Sequence, residues 1–501
     1  MNMIDLARMH IGKIAFLSQS RHGNFIGGKR VEPFAGKYLP IIDPATDILV
    51  SHAADSSAED VDMAVTNACF AFEDASWAKL RPADREHLLC KLATLIEQNL
   101  DELSAIDTLE SGKLQWIARN IEVGGGAEFV RYMAGWATKL EGQTLQHSIP
   151  ASPDAGFFTY TTREPVGVVA AIVPWNFPFA IALWKIAPAL AAGCTVVLKP
   201  AEETPLSALR LAELAMEAGF PAGVLNVVCG RGETVGAALC SHPGISKLSF
   251  TGSTSVGKTI GHKAVDNMTR FTLELGGKSP LIILEDADPD QAAAGAAMGV
   301  FFNQGQVCTA GSRVFVQRKL YERVVDGMAA FAEAMVTGSG FDPASQLGPL
   351  VSRRHCESVM GYINRAKLEG AKAVTGGERA LNSGNFIQPT VFVNTKPDHQ
   401  IVREEVFGPV VVVTPFDSVQ EAVHMANNTA FGLAASVWSQ NLSQVHRIIP
   451  QLQAGIVWVN CHNILDNNLP FGGVKQSGYG RDMGRAAVES YTEIKSVCMA
   501  F

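Results

Sequence analysis

Residues 246–257 read Ser-Lys-Leu-Ser-Phe-Thr-Gly-Ser-Thr-Ser-Val-Gly, a short apolar run that gives way to a glycine-bounded loop and then to a helical pattern. A glycine loop between a strand and a helix turns backbone N–H groups toward the helix N-terminus, where an anion such as a pyrophosphate is favoured. The preceding sequence repeats the same alternation. Residues 194–198 read as a buried strand, Thr204 and Pro205 as a cap and a first-turn proline, and the following helix runs to Gly219 with Pro221 just beyond. Residues 224–229 are predicted as the next strand, 233–241 as a helix and 246–250 as a third strand. Such alternation predicts a parallel, doubly wound α/β sheet. By itself the loop at 252–257 is a weak signal, because G-x-x-x-x-G is not the usual dinucleotide fingerprint. Gly230-Arg231-Gly232 competes with it nearby and also lacks the full fingerprint.

Two other stretches carry chemistry. Residues 301–313 read Phe-Phe-Asn-Gln-Gly-Gln-Val-Cys-Thr-Ala-Gly-Ser-Arg, and Cys308 has no acid or base beside it until Arg313. A cysteine in such a place is either buried packing, which is inert, or a nucleophile that needs an activating neighbourhood. Residues 272–280, Thr-Leu-Glu-Leu-Gly-Gly-Lys-Ser-Pro, set Glu274 between two leucines at the end of an apolar segment. Desolvation raises the pKa of such a carboxyl group into the range useful for base work. A thiol nucleophile and a desolvated carboxyl base form an acyl-transfer pair. In Pro174-Trp175-Asn176-Phe177-Pro178 an asparagine lies in an apolar run, where its amide must be paired, and it reads equally well as a structural bridge.

Composition narrows the class. At about 150 residues per domain, 501 residues suggest two to four units. Hydrophobic content of 47% with 18% charged residues is that of a soluble globular protein. A formal charge of −8 leaves no basic face for nucleic acid. The 9 cysteines show no C-x-x-C or Cys/His spacing, which predicts free thiols in a reducing compartment such as the cytoplasm, and no metal. The N-terminus lacks a secretory signal pattern. Residues 167–184 are apolar, but Pro174, Asn176 and Pro178 argue against a membrane span, which needs about 20 mostly apolar residues, and predict a buried strand and turn. Residues 24–50 read as short strands, Ser56-x-x-Glu59 as a capping box opening a helix to about residue 72, and Pro82 as the start of a second helix. Gly124-Gly125-Gly126 falls inside another helical pattern, as a break between two helices or as volume removed beside a substrate tunnel.

Leu-Glu-Leu-Gly-Gly-Lys-Ser-Pro and Phe-Asn-Gln-Gly-Gln-Val-Cys resemble the two active-site signatures of the aldehyde dehydrogenase superfamily, and the resemblance runs from about residue 24 to the C-terminus. It implies a Rossmann-like NAD-binding domain from residues 1–141 and 163–276, an α/β catalytic domain from 277–476, and a small β oligomerisation arm from 142–162 and 477–501. Gly252, Ser253 and Gly257 match the superfamily's Gly-Ser-Thr-x-x-Gly variant of the Rossmann loop. By the same resemblance Lys199 and Glu202 hold the adenosine ribose, so that NAD is preferred over NADP. Trp175, Glu405 and Phe407 join the cofactor site, the last two within Glu-Glu-x-Phe-Gly-Pro.

The mechanism implied starts with attack of Cys308 on an aldehyde, the oxyanion resting on the Asn176 amide and the Cys308 N–H. Hydride then passes to NAD, and Glu274 deprotonates the water that hydrolyses the thioester. Positions lining the aldehyde pocket in the family fall on Phe177, Ile181, Trp184, Leu465 and Phe471, an uncharged, aromatic set suited to an arylalkyl aldehyde. The wording of residues 131–136, 436–443 and 459–470 is most similar to bacterial members that oxidise phenylacetaldehyde in aromatic catabolism. The family's arm implies a homodimer or homotetramer.

Overall fold

The structure is a computed structural model that describes residues 2–149 and 156–501. Five strands buried on both faces, Val168–Ile172, Thr195–Lys199, Leu225–Val227, Lys247–Thr251 and Arg270–Glu274, run parallel in one sheet. Their largely buried, mostly apolar central residues are what a parallel sheet covered by helices on both faces demands. The helices Pro178–Ala192, Leu206–Ala218 and Thr254–Asp266 supply the crossovers. Across the sheet the strands ending at Glu274, Thr251, Ile172, Lys199 and Val227 follow in that order. The order reverses between Thr251 and Ile172, so the crevice expected for a ligand opens beyond these two strand ends. Asn24–Ile26, Lys29–Val31 and Gly478–Tyr479 complete eight strands as antiparallel edges.

A second, seven-stranded sheet begins at Pro280, only six residues after Glu274. Its central strands Pro280–Ile283 and Arg313–Gln317 pair Pro280 with Arg313, so that the segments leading into both strands lie at one edge. A three-stranded sheet joins Thr492–Ala500 to Phe157–Pro165 and Thr144–Leu145, where the arm is expected. Residues 150–155 of that expected arm lie outside the described residues. Residues 478–479, which the sequence boundaries assign to the arm, are instead an edge of the eight-stranded sheet, because their backbone groups pair with Leu273 and Glu274.

Local expectations shift in instructive ways. The helix Ala58–Glu73 opens at Ser57, and the Asp60 carboxylate, rather than Glu59, accepts from the Ser57 N–H at 2.9 Å. Pro205 is itself the N-cap of the next helix. The donors that a Thr204 cap would satisfy go to Glu110, which accepts from Leu206 N at 2.7 Å and Ser207 N at 3.2 Å. The strands at 194–198 and 246–250 begin one residue later than read, and Gly232–Gly236 forms a π-helical turn before the short helix Ala237–Ser241.

The apolar stretch at 167–184 is a strand followed by a long helix rather than a turn, since Pro178 is tolerated at a first-turn position. Among the described residues no helix is long and apolar enough to cross a membrane. Gly124–Gly126 do not break their helix. A π-helical segment Ala118–Gly124 passes into the helix Gly125–Ala134 with all three glycines helical or adjoining, and a Cβ at Gly126 would lie 2.7 Å from Leu183 Cδ1 of the crossing helix. The missing side chain at 126 permits close helix–helix approach.

Candidate active site

The crevice at the strand reversal is built from the two chain segments that leave it. Beyond Thr251, Ser253 takes an extended conformation and its Oγ accepts from Val256 N at 3.4 Å, opening the helix Thr254–Asp266. A Cβ at Gly257 would overlap the Leu275 side chain, so this glycine lets the helix N-terminus lie against the last parallel strand. Lys199 ends its strand fully buried, its Nζ donating to Pro200 O at 2.9 Å and lying 3.8 Å from Glu202 Oε1. Burial pulls its pKa below the usual lysine range. Glu202 is half-buried and accepts from the Gly232 N–H, so the competing loop at 230–232 spends that donor on this carboxylate. A helix N-terminus for an anion beside a lysine and a carboxylate for hydroxyl groups is a donor set that fits the expected dinucleotide.

On the other side of the crevice Trp175 packs edge-on against Phe407 at 5.3 Å and against His355 at 5.1 Å. Phe407 adopts φ 58°, and its carbonyl faces His355 Nε2 at 2.8 Å. Glu405 Oε1 accepts from Gly277 N at 2.9 Å, bracing the chain between the two sheets, and burial lifts its pKa to about 7. Neither contact was legible in the sequence, since both join segments far apart in the chain.

The Cys308 loop begins with a tight reversal in which Asn303, Gln304 and Gly305 all take positive φ, of 47°, 58° and 70°. Two amides stitch it to the Trp175–Phe177 turn. Asn303 Nδ2 donates to Asn176 O at 3.1 Å, and Asn176 Nδ2 donates to Gln306 O at 2.9 Å. Asn176 is therefore a bridge, and its amide retains a second N–H. Cys308 is partly exposed. Burial raises its thiol pKa, the Glu405 and Glu274 carboxyl groups raise it further, and the backbone N–H groups of Thr309 and Cys308 oppose the rise. A Cβ at Gly277 would overlap Cys308 O, and one at Gly305 would overlap Gly408 O. Gly305→Ala is expected to cost about 1–3 kcal/mol of stability through backbone strain and to displace Cys308, read as a lower melting temperature together with lost activity.

Glu274 is the last residue of its strand and is 3% exposed. Among the described residues neither of its carboxyl oxygens has a hydrogen-bond partner. Burial holds its pKa well above the ordinary value, Asp482 adds to this, and Lys185 and Arg481 oppose it. Gly472 leaves room for it, as a Cβ there would stand 2.6 Å from Glu274 Oε1. Lys185 is fully buried and ion-paired to Asp482 at 3.0 Å. The sequence reading missed this pair, although a lone lysine in the wholly apolar helix Pro178–Ala192 was a visible anomaly.

Around these groups Trp184 lies 5.3 Å from Phe471 and Phe177 6.3 Å from Phe302. Ile181 is 3% and Phe471 5% exposed, whereas Leu465 is 43% exposed. Ile181 and Phe471 are thus buried, while Leu465 lies at the surface. Behind Phe177 lies a cation that the sequence did not announce. Lys113 Nζ stands 5.1 Å from its ring, fully buried between Asp107 and Glu122, and Glu122 Oε2 accepts from Ala180 N at 2.8 Å.

Comparison with known proteins identifies the family. The Aldehyde dehydrogenase family profile matches residues 31–497. The chain is 51% identical over 482 residues to a phenylacetaldehyde dehydrogenase of Pseudomonas fluorescens, covering 96% of each protein. It is 45% identical over 475 residues to a mitochondrial aldehyde dehydrogenase of Homo sapiens, covering 94% of this chain and 91% of that one. Among solved structures, an NAD+ complex of an aldehyde dehydrogenase from Bacillus cereus superposes with a TM-score of 0.94 at 48% identity, covering 97% of both chains. A mutant P. syringae indole-3-acetaldehyde dehydrogenase in complex with NAD+ and IAA gives 0.94 at 40% identity, covering 99% of both. On its sequence, its fold and the site at the junction of its two large sheets, the chain belongs to the aldehyde dehydrogenase family.

Proposed function

We propose that this protein oxidises phenylacetaldehyde or a related arylalkyl aldehyde to the carboxylic acid, with Cys308 as nucleophile, Asn176 in the oxyanion site and Glu274 as base. The coarser activity, NAD-dependent oxidation of an aldehyde, is that of its family and of its NAD+-bound structural neighbours. The observation that carries the finer assignment of roles is Glu274, whose buried carboxyl oxygens have no partner. Leaving such a group unpaired costs about 1–3 kcal/mol or more, a cost that function explains and packing does not.

Cys308 gives its thiol proton to solvent, and the thiolate sulfur then attacks the aldehyde carbon. The remaining Asn176 amide N–H and the Cys308 N–H are suited to hold the oxygen as it gains charge. Bound NAD would supply the hydride acceptor, and loss of hydride from the adduct leaves the acyl group on Cys308 as a thioester. Trp175, Lys199, Glu202, Gly252, Ser253, Gly257, Glu405 and Phe407 are the residues we propose to hold NAD, around the crevice already described. Glu274 then takes a proton from the water that attacks the thioester, and the dry pocket that raises its pKa makes it the stronger base.

Trp184, Phe471 and Phe177 offer aromatic faces, and the Lys113 ammonium behind Phe177 is already paired with Asp107 and Glu122, which favours an aryl ring over a charged tail. The 51% identical phenylacetaldehyde dehydrogenase supports the same choice. NADH formation should be fastest, in kcat/KM, with phenylacetaldehyde among phenylacetaldehyde, benzaldehyde, hexanal and betaine aldehyde. Equal or better turnover of hexanal would overturn the arylalkyl assignment and leave the chemistry standing. We propose a cytoplasmic homodimer or homotetramer, supported by 9 free cysteines and by the outer edge of the strand Thr492–Ala500, which is unpaired among the described residues. The division into a cofactor domain at 1–141 and 163–276 and a catalytic domain at 277–476 remains the organisation we propose.

A further inference from the structure

We propose that His462 is a positioning residue for the nucleophile: through the carbonyl of Thr309 it fixes the peptide next to Cys308. This inference rests on the reading of Cys308 as the nucleophile. The imidazole is hydrogen-bonded at both nitrogens, with Nε2 2.8 Å from Thr309 O and Nδ1 3.0 Å from Ser436 Oγ. A carbonyl oxygen only accepts, so Nε2 carries the proton, Nδ1 is a lone pair and the Ser436 hydroxyl donates to it. The tautomer is thus fixed by its neighbours. Trp458 packs edge-on against the ring at 4.8 Å, and burial drops the pKa to about 4, so the ring stays neutral with one donor and one acceptor throughout the physiological range.

The next residue repeats the hold. Thr309 Oγ1 donates to Asn463 Oδ1 at 2.7 Å, and Asn463 Nδ2 donates to Gly299 O at 3.3 Å. Gly311 N donates to the same Gly299 carbonyl at 3.0 Å. Room for the ring comes from two glycines, since a Cβ at Gly299 would lie 3.1 Å from His462 Cδ2 and one at Gly311 3.3 Å from His462 Nε2.

Thr309 is therefore held at its carbonyl by His462 and at its hydroxyl by Asn463. Its N–H is one of the two groups that ease the Cys308 thiol toward the thiolate. Ser436 belongs to the strand Ala434–Trp438 and pairs with Leu281 in the centre of the second sheet. The chain of contacts thus ties the nucleophile loop to a strand of the second sheet. Neither His462 nor Ser436 is among the groups proposed to touch the aldehyde or the cofactor.

The test compares His462→Phe, His462→Gln, Ser436→Ala and Cys308→Ala in the full chain. Two quantities are followed, steady-state NADH formation with phenylacetaldehyde and the rate at which iodoacetamide modifies the peptide carrying Cys308 in the absence of substrate. His462→Phe keeps a ring but strands the Thr309 carbonyl, and kcat should fall about 10- to 100-fold with the KM for NAD unchanged, because misplacing a reacting group by about 1 Å has effects of that size. Alkylation of Cys308 should slow in the same variant. His462→Gln, whose side-chain amide can donate to the same carbonyl, should recover most of both rates, and Ser436→Ala should lose part of them. Wild-type kcat and alkylation in His462→Phe, or a His462→Gln as impaired as His462→Phe, would overturn the proposal. If His462→Phe does not fold, Ser436→Ala decides, and unchanged rates there overturn it. Full activity in Cys308→Ala would instead sink the nucleophile assignment itself, so the two failures are told apart.

Discussion

Cys308→Ala is expected to lose aldehyde oxidation by a factor of about 10⁴ or more while still folding and binding NAD, because removing the nucleophile of a covalent mechanism leaves only binding and oxyanion stabilisation behind. The local structure makes this a clean experiment. Cys308 is partly exposed, so truncation opens no sealed cavity. The loop is held by Asn303, Gln306 and Thr309, none of which uses the sulfur. Thermal unfolding and NAD titration should match those of the parent chain, and retained turnover would remove the thiohemiacetal mechanism. The thiol's raised pKa adds a second expectation. Alkylation of Cys308 should be slow at neutral pH and accelerate as pH rises.

Glu274→Gln should stop the cycle at a different point. The amide keeps the shape of the carboxyl group but cannot take a proton from water, so acylation of Cys308 proceeds and hydrolysis stalls. A rapid burst close to one NADH per active site, followed by a steady rate lower by about 10²–10⁴, is the expected trace. If the variant shows neither a burst nor a lower steady rate, Glu274 is not the base. The parent enzyme's hydrolysis should climb with pH, since Glu274 must lose its proton before it can accept another, and the variant should lack that climb.

The same substitution has a thermodynamic signature. A carboxyl group whose folded pKa lies above its unfolded value binds more protons in the folded state between those two values, so stability falls as pH rises and the full penalty stands above the folded pKa. Glu274→Gln removes that penalty. Its melting temperature should therefore exceed the parent's at about pH 9 and approach it at about pH 4, below the usual carboxylate pKa.

How much of this was legible in the sequence depended on distance along the chain. The glycine loop at 252–257, the leucine-flanked Glu274 and the Asn176 run are local signals, and local composition exposes them because burial and backbone conformation are written into adjacent residues. The residues expected to line the aldehyde pocket differ widely in exposure, and the sequence could not separate a buried residue such as Ile181 from an exposed one such as Leu465. What escaped were partners that only the fold introduces. Lys185 meets Asp482 across 297 positions, Glu110 caps a helix 96 positions away, and His462 reaches Thr309 across 153. Each involves a residue that looks ordinary until its environment is known. The π-helical segment before Gly125 escaped for another reason, because a one-residue change in helical hydrogen bonding leaves the apolar periodicity almost untouched.

The covering of Glu274 also sets a timetable for synthesis. Gly472, which lies against its carboxyl group, and Asp482, which raises its pKa and pairs with Lys185, are made long after the strand that carries it. Some 208 residues separate Glu274 from Asp482, which at about 5–20 residues per second is about 10–40 s of translation. Throughout that interval Glu274 lacks the covering that raises its pKa, and Cys308, already made for most of that time, has no competent base beside it. The nascent chain thus carries a reactive thiol in a catalytically silent form until its final segment closes over the site.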